Sequence, residues 1–232
     1  MNIFDLIILA IILVSVLFAL RDGTVGTVLS TGALLVAAAL AFPLSAPLTE
    51  RISGDTTVTS TLLTYTDALA RVGDYDLAHT KVYGIDDETV ERVLASVELP
   101  DALDTLLARN LRAGANVQSD LDVNYYVQSV VLSAAIRVLS YLAAAMAVYL
   151  VLLLLIRLAD HVFHFPLLRL FDWAPAALFG LARGAVFAGL AALLIPLALT
   201  AIPLDEIAGA LDKSVLARHF MNIDYFMRVF NA

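Results

Sequence analysis

The sequence contains no cysteine. That excludes disulfides, thiolate catalysis and zinc–thiolate sites, but names no compartment. A basic surplus is missing too: 14 Lys and Arg stand against 22 Asp and Glu, for a net charge of −8. The cationic footprint of a nucleic-acid binder is therefore absent. No nucleophile elbow, phosphate loop or HExxH pair is present to carry a reaction. His161 and His164 lie three apart, beside Asp160, in "RLADHVFHF". A metal site needs further ligands, so interfacial polar residues are the expectation there. The sequence thus predicts no enzyme, no cofactor and no bound metal.

What is present is apolar. Hydrophobic residues make up 61% of the chain and the mean hydropathy is +0.87. A soluble domain is about 45–50% apolar, so the excess calls for a bilayer as solvent. Four stretches are long enough for spans of roughly 20 residues. They are Ile3–Leu20, Val25–Leu44, Val138–Ile156 and Ala174–Leu199. None alternates with a period of two, which argues against a transmembrane barrel. The first stretch lacks a basic n-region, carries Asp5, and is followed four residues later by the second. It is expected to be a retained helix rather than a cleaved leader.

The acidic excess is confined to one place. Between Ser45 and Tyr125 there are fourteen acidic and six basic residues, and the rest of the chain balances. Lys and Arg near the spans set orientation. The first hairpin "RDGT" holds Arg21, and the connector between spans three and four holds Arg157 and Arg169. Both connectors are therefore expected in the cytoplasm, with the termini and the acidic segment outside. That segment carries helical signatures. Asp86 or Asp87 is a plausible N-cap before Val90, Val93, Leu94 and Val97. Leu103, Leu106, Leu107 and Leu111 form a second stripe, with Gly114 as the expected stop. A third helix is predicted over Thr61–Arg71. The tail from Leu204 is amphipathic and is expected to lie in the interface or pack against the cap. The predicted fold is an all-α integral membrane protein with four transmembrane helices, a helical extracytoplasmic cap and amphipathic C-terminal helices. Its parts are a first hairpin (1–44), an acidic cap (45–125), a second hairpin (126–200) and an interfacial tail (201–232).

Span four carries two features. Ala176, Gly180, Gly184, Ala188 and Ala192 recur every four residues and form one ridge almost without side chains, suited to close helix packing. Gly32, Ala33, Ala37 and Ala41 give span two a looser version. The second feature is Arg183. An arginine at the bilayer centre costs about 2.5–3.5 kcal/mol on insertion scales. Counted from Ala174–Ala176, Arg183 lies only about 10–13 Å along the axis, so its side chain is expected to snorkel back toward the cytoplasmic face. Asp172, Asp160 and Asp22 are candidate partners for it, and Asp172 alternatively caps the helix. Arg137 leans the same way toward the outer face.

Three segments carry a resemblance. The opening "DLIILAIILVSVLFALRDG", the later "LLLLIRLADHVFHFPLLRLFDWAPAALFGLARGAVFAGLAALLI" with its G-x-x-R-G core (Gly180, Arg183, Gly184), and the Ser-containing tail "LDKSVLARHF" cover about half the chain. In order and spacing they resemble the colicin V production protein (CvpA) family. The hairpin "RDGTVGT" lacks that family's second basic residue, and "DW" replaces its Asp-Arg pair. The resemblance implies a bacterial inner-membrane protein that supports colicin V production or export and envelope homeostasis. It brings no reaction and no catalytic residues. The expected partners are the lipid bilayer and other membrane proteins or a second copy. The alternative is an oligomeric channel or transporter with Arg183 on its conduction path.

Overall fold

The computed structural model describes residues 3–66, 72–97, 99, 101–162, 173–201, 214–220 and 223–231. Among these residues the regular structure is helical, apart from one isolated bridge between Lys81 and Asp122. In chain order the helices are α1 (Ile3–Gly54), α2 (Thr56–Thr66), α3 (Tyr75–Ala78), α4 (Asp87–Ser96) and α5 (Asp101–Ala115). They continue with α6 (Val123–Val162), α7 (Trp173–Ala192), α8 (Ile195–Ala201), α9 (Val215–Phe220) and α10 (Ile223–Asn231).

Three of them, α1, α6 and α7 with its continuation, are long and apolar enough to cross a membrane. The 52-residue α1 is not one rod. Gly23 breaks it with φ 76° and ψ 174°, a backbone state that favours glycine because it has no Cβ. The Thr27 hydroxyl donates to Ala19 O at 3.1 Å and to Gly23 O at 2.7 Å. Residues eight apart in a straight helix are about 12 Å apart, so the chain folds back at Gly23 into two adjacent arms, 3–22 and 24–54. The second arm continues through Pro43 and Pro47 to Gly54. Span three is likewise only part of its helix, because the 40-residue α6 begins at Val123.

The N-terminal half of α6 serves the acidic segment. Val123, Val127 and Val131 are buried with Leu103, Leu106, Leu107 and Leu111 of α5 and with Val90 and Val93 of α4. The same cluster runs on to Ala41, Val138 and Tyr141, so the small helices share one core with the long ones. Gly114 does not stop α5, which ends at Ala115. A Cβ there would lie 2.8 Å from the Tyr126 hydroxyl oxygen and 3.0 Å from Val82. Gly114 is small to admit Tyr126, whose hydroxyl donates to Asn110 O at 3.0 Å. The predicted helix at 61–71 is α2 (Thr56–Thr66), and 67–71 lie outside the described residues.

Polar contacts on the surface of this layer are of the solvated kind. Asp86 is the N-cap of α4. Its bonds to the Thr89 hydroxyl and to the Thr89 N–H, the latter at 2.9 Å, hold its carboxyl below the ordinary aspartate range. Lys81 reaches Asp122 at 3.0 Å and Asp120 at 3.2 Å, and hydrogen bonds to those two acids raise its ammonium pKa. A depressed carboxyl stabilises the fold above its unfolded pKa, about 3.9, and the benefit is lost as pH falls through the folded value. A raised ammonium stabilises below about 10.4, and the benefit is lost as pH rises through the folded value. Both contributions should therefore be flat from about pH 5 to 9. NMR titration of the Asp86 carboxyl is expected to give a midpoint below about 3.9. A midpoint at or above that value would mean that the cap of α4 does not form.

Candidate functional site

The site forms where α7 meets the first hairpin. Ala176, Gly180, Gly184, Ala188 and Ala192 are all buried, with Arg183 on the same side of α7. Their partner is the first arm of α1. A Cβ on Gly180 would lie 2.5 Å from Ala19 Cβ and 3.0 Å from Val16 Cα. On Gly184 it would lie 2.8 Å from Ile12 Cα. The missing side chains thus let the two backbones meet, and small residues serve this purpose in lipid. On the second arm, Ala33, Ala37 and Ala41 are buried, but Gly32 is exposed with nothing within 4 Å of its would-be Cβ. Gly32 therefore belongs on the outer face and not in the packing stripe.

Close approach brings polar atoms of three segments together. The Ser15 hydroxyl donates to Gly180 O at 2.9 Å, and the Thr31 hydroxyl donates to Phe179 O at 3.3 Å. Arg183 completes the cluster. Its Nε donates to Ser15 Oγ at 3.1 Å, Nη1 to Ser30 Oγ at 2.8 Å and Nη2 to Ser15 O at 2.9 Å. Ser30 Oγ in turn donates to Thr27 O at 3.1 Å. The Ser15 and Ser30 hydroxyls each donate to a carbonyl and accept from the guanidinium, so both arms of the hairpin are tied to one side chain of α7.

This corrects the expected placement of Arg183. It is 6% exposed and does not snorkel. Its bonded partners among the described residues are serines rather than an acid. Asp172 lies outside the described residues, as do His164 and Arg169, and so does the Asp160 side chain. Arg137 is half-buried on α6 and does not line the cleft beside this cluster. Ser15 and Ser30 were not singled out from sequence, although Ser15 is the only polar residue between Asp5 and Arg21.

Beside the clamp is a cleft of about 770 Å³ between the first arm, α6 and α7. Arg21, Asp22, Arg157 and Arg183 line it, together with Tyr149 and Phe187. The two aromatic rings meet edge to face, with centroids 5.6 Å apart. Among the described residues no ion pair joins Asp22 to any of the three arginines. The structure thus brings Arg21 and Arg183, predicted separately from sequence, to one cleft.

Colicin V production protein is the family whose sequence pattern matches residues 4–73 and 113–225. The chain belongs to that family. No curated protein and no solved structure matches it. Together the family match, which covers most of the chain, and the three long apolar helices make this a multi-pass membrane protein. The unmatched stretch, 74–112, holds α3, α4 and most of α5. The clamp and the cleft therefore lie within the part that matches the colicin V production family, and α3, α4 and most of α5 lie outside it.

Two further family segments meet at the other end of the first arm. Asp5 is 7% exposed and accepts from the Ser214 hydroxyl at 2.6 Å and from the Leu216 N–H at 3.0 Å. Ser214 Oγ accepts from the Ala217 N–H at 3.0 Å, capping α9. The opening Asp and the tail Ser are thus one lock. The last helix, α10, packs on α5 and α6, where Tyr225 and Tyr141 hydroxyls lie 2.6 Å apart. Replacing Ser214 with alanine removes both the cap and the donor to Asp5, at a cost of about 1–2 kcal/mol. Amide exchange over α9 should accelerate while exchange in α7 stays unchanged. Equal acceleration in both would mean that the lock is not local.

Proposed function

We propose that this chain is a four-span inner-membrane protein that supports colicin V production or export and envelope homeostasis by holding partner proteins, without catalysing a reaction. The observation that carries the reading is the family match across both ends of the chain. The fold is consistent with it. The two arms of α1, the C-terminal half of α6 and α7 supply four apolar crossings. Large side chains such as Leu13, Leu17, Leu150, Leu154 and Leu178 are exposed on them, as suits lipid-facing positions. Arg21 and Arg157 at one end support a cytoplasmic location for both connectors. The termini and the acidic helices then lie outside.

The test is genetic. Deleting the gene should lower resistance to detergents and bile acids and reduce toxin secretion. Unaltered resistance together with unaltered secretion would sink the proposal. The channel reading draws on Arg183 lining the cleft, but its guanidinium is already engaged by three oxygens of the hairpin. Anion or proton flux in proteoliposomes that vanishes in Arg183→Ala would nonetheless favour a channel.

A further inference from the structure

The cleft combines two features, of which the clamp uses only Arg183. Its charged lining is three guanidinium groups against one carboxylate. These charges sit unevenly along its length. Arg21 and Asp22 adjoin the Gly23 turn, and Arg157 is near the end of α6. Along the first arm the remaining wall is apolar apart from Ser15, from Phe18 through Val14 and Ile11 to Leu6. Leu6 and Arg21 are fifteen residues apart, or about 22 Å of helix. A charged end therefore opens into an apolar channel about 18 Å long, more than half the depth of a bilayer's hydrocarbon core. Arg183 lies between the two, one to two turns deeper than Arg21 when measured along the first arm at Ser15. Three of its five N–H groups are bonded among the described residues.

We propose that this cleft binds an anionic phospholipid, its phosphate held at Arg21, Arg157 and Arg183 and one acyl chain laid along the apolar wall. The assignment rests on the reading of these helices as membrane spans. Charge complementarity selects the headgroup: basic pockets between membrane helices recognise acidic lipids. Position selects the lipid over a soluble anion. A small hydrated anion gains nothing from about 18 Å of apolar wall, whereas an acyl chain fills it with no loss of hydration. The volume, about 770 Å³, falls within the range of about 300–1,000 Å³ usual for small-molecule sites. Tyr149 and Phe187 close the side of the cleft between α6 and α7, where the chain would leave the headgroup region.

The experiment uses the full-length chain in mixed micelles. Native mass spectrometry would compare retained dioleoyl-phosphatidylglycerol with dioleoyl-phosphatidylcholine. A parallel arm adds millimolar inorganic phosphate. Arg21 and Arg157 are exposed, so Arg21→Gln and Arg157→Gln leave the packing intact, and Arg228→Gln on α10 is a control outside the cleft. The phosphatidylglycerol preference should fall about fivefold for each cleft arginine removed and about thirtyfold for both. It should be unmoved in Arg228→Gln and by inorganic phosphate. Equal retention of the two lipids, or a preference that survives in the double variant, overturns the proposal. Displacement by inorganic phosphate does so as well, since a free anion is then the ligand. Protein extracted from membranes without a lipid preference defeats only this inference. Protein recovered in the soluble fraction defeats the four-span reading with it.

Discussion

Leucine in place of Gly180 is expected to unseat the first hairpin from α7 and cost the fold about 2–4 kcal/mol. The reason is distance. A Cβ at 180 would stand 2.5 Å from Ala19 Cβ and 3.0 Å from a backbone carbon, Val16 Cα. Neither can rotate away, so the helices themselves must separate. Separation also stretches the Ser15–Gly180 bond at 2.9 Å and the Thr31–Phe179 bond at 3.3 Å. Interhelical hydrogen bonds in membranes are worth about 0.6 kcal/mol each on average, so most of the cost is steric. Even Gly180→Ala meets Ala19 and should cost about 1–2 kcal/mol. Gly32→Leu is the control, because nothing lies within 4 Å of that position. It should change stability by less than about 0.5 kcal/mol. Size-exclusion recovery after heating would rank the three. If Gly32→Leu proves as damaging as Gly180→Leu, the loss comes from glycine content and not from the α1–α7 contact.

Such contacts explain how far the sequence could be read. The ridge on α7 was visible because one helix sets its own period. The turn at Gly23 was visible because a basic-glycine interruption separates two apolar runs. The extent of α6 was hidden. Hydropathy marks only Val138–Ile156, whereas Val123, Val127 and Val131 are buried by protein and not by lipid. A polar Asn124, Tyr125, Gln128 and Ser129 face lowers the average over that half. The second arm was placed at Val25–Leu44 on hydropathy alone, but α1 continues through Pro47 to Gly54. The partners of Arg183 were the hardest to see. Depth along one helix follows from rise per residue, but which face meets which depends on how three helices rotate against one another. Ser15 and Ser30 lie on two other segments, 168 and 153 residues away. A lone serine in an apolar span was the available signal, and it gave no direction.

Whether Arg183 holds the hairpin or merely tolerates it is decided by comparing its removal with removal of its acceptors. Arg183→Leu exchanges an insertion cost of about 2.5–3.5 kcal/mol for a small gain. The variant should therefore enter the membrane more readily. Inside the membrane the fold loses three bonds that join α7 to both arms, at a cost of about 2 kcal/mol. The two readouts thus move in opposite directions. Ser15→Ala with Ser30→Ala leaves the guanidinium buried and takes away two of its three acceptors. Stranding a buried charge is more costly than deleting it, so this pair should cost about 3–5 kcal/mol. In the triple variant no charge remains to be stranded, and the loss should fall back to about 2 kcal/mol rather than the sum. That non-additivity is the signature of a clamp. Strictly additive losses would mean that the serines and the arginine stabilise α1 and α7 independently, and the hairpin would then be held by the glycine contact alone.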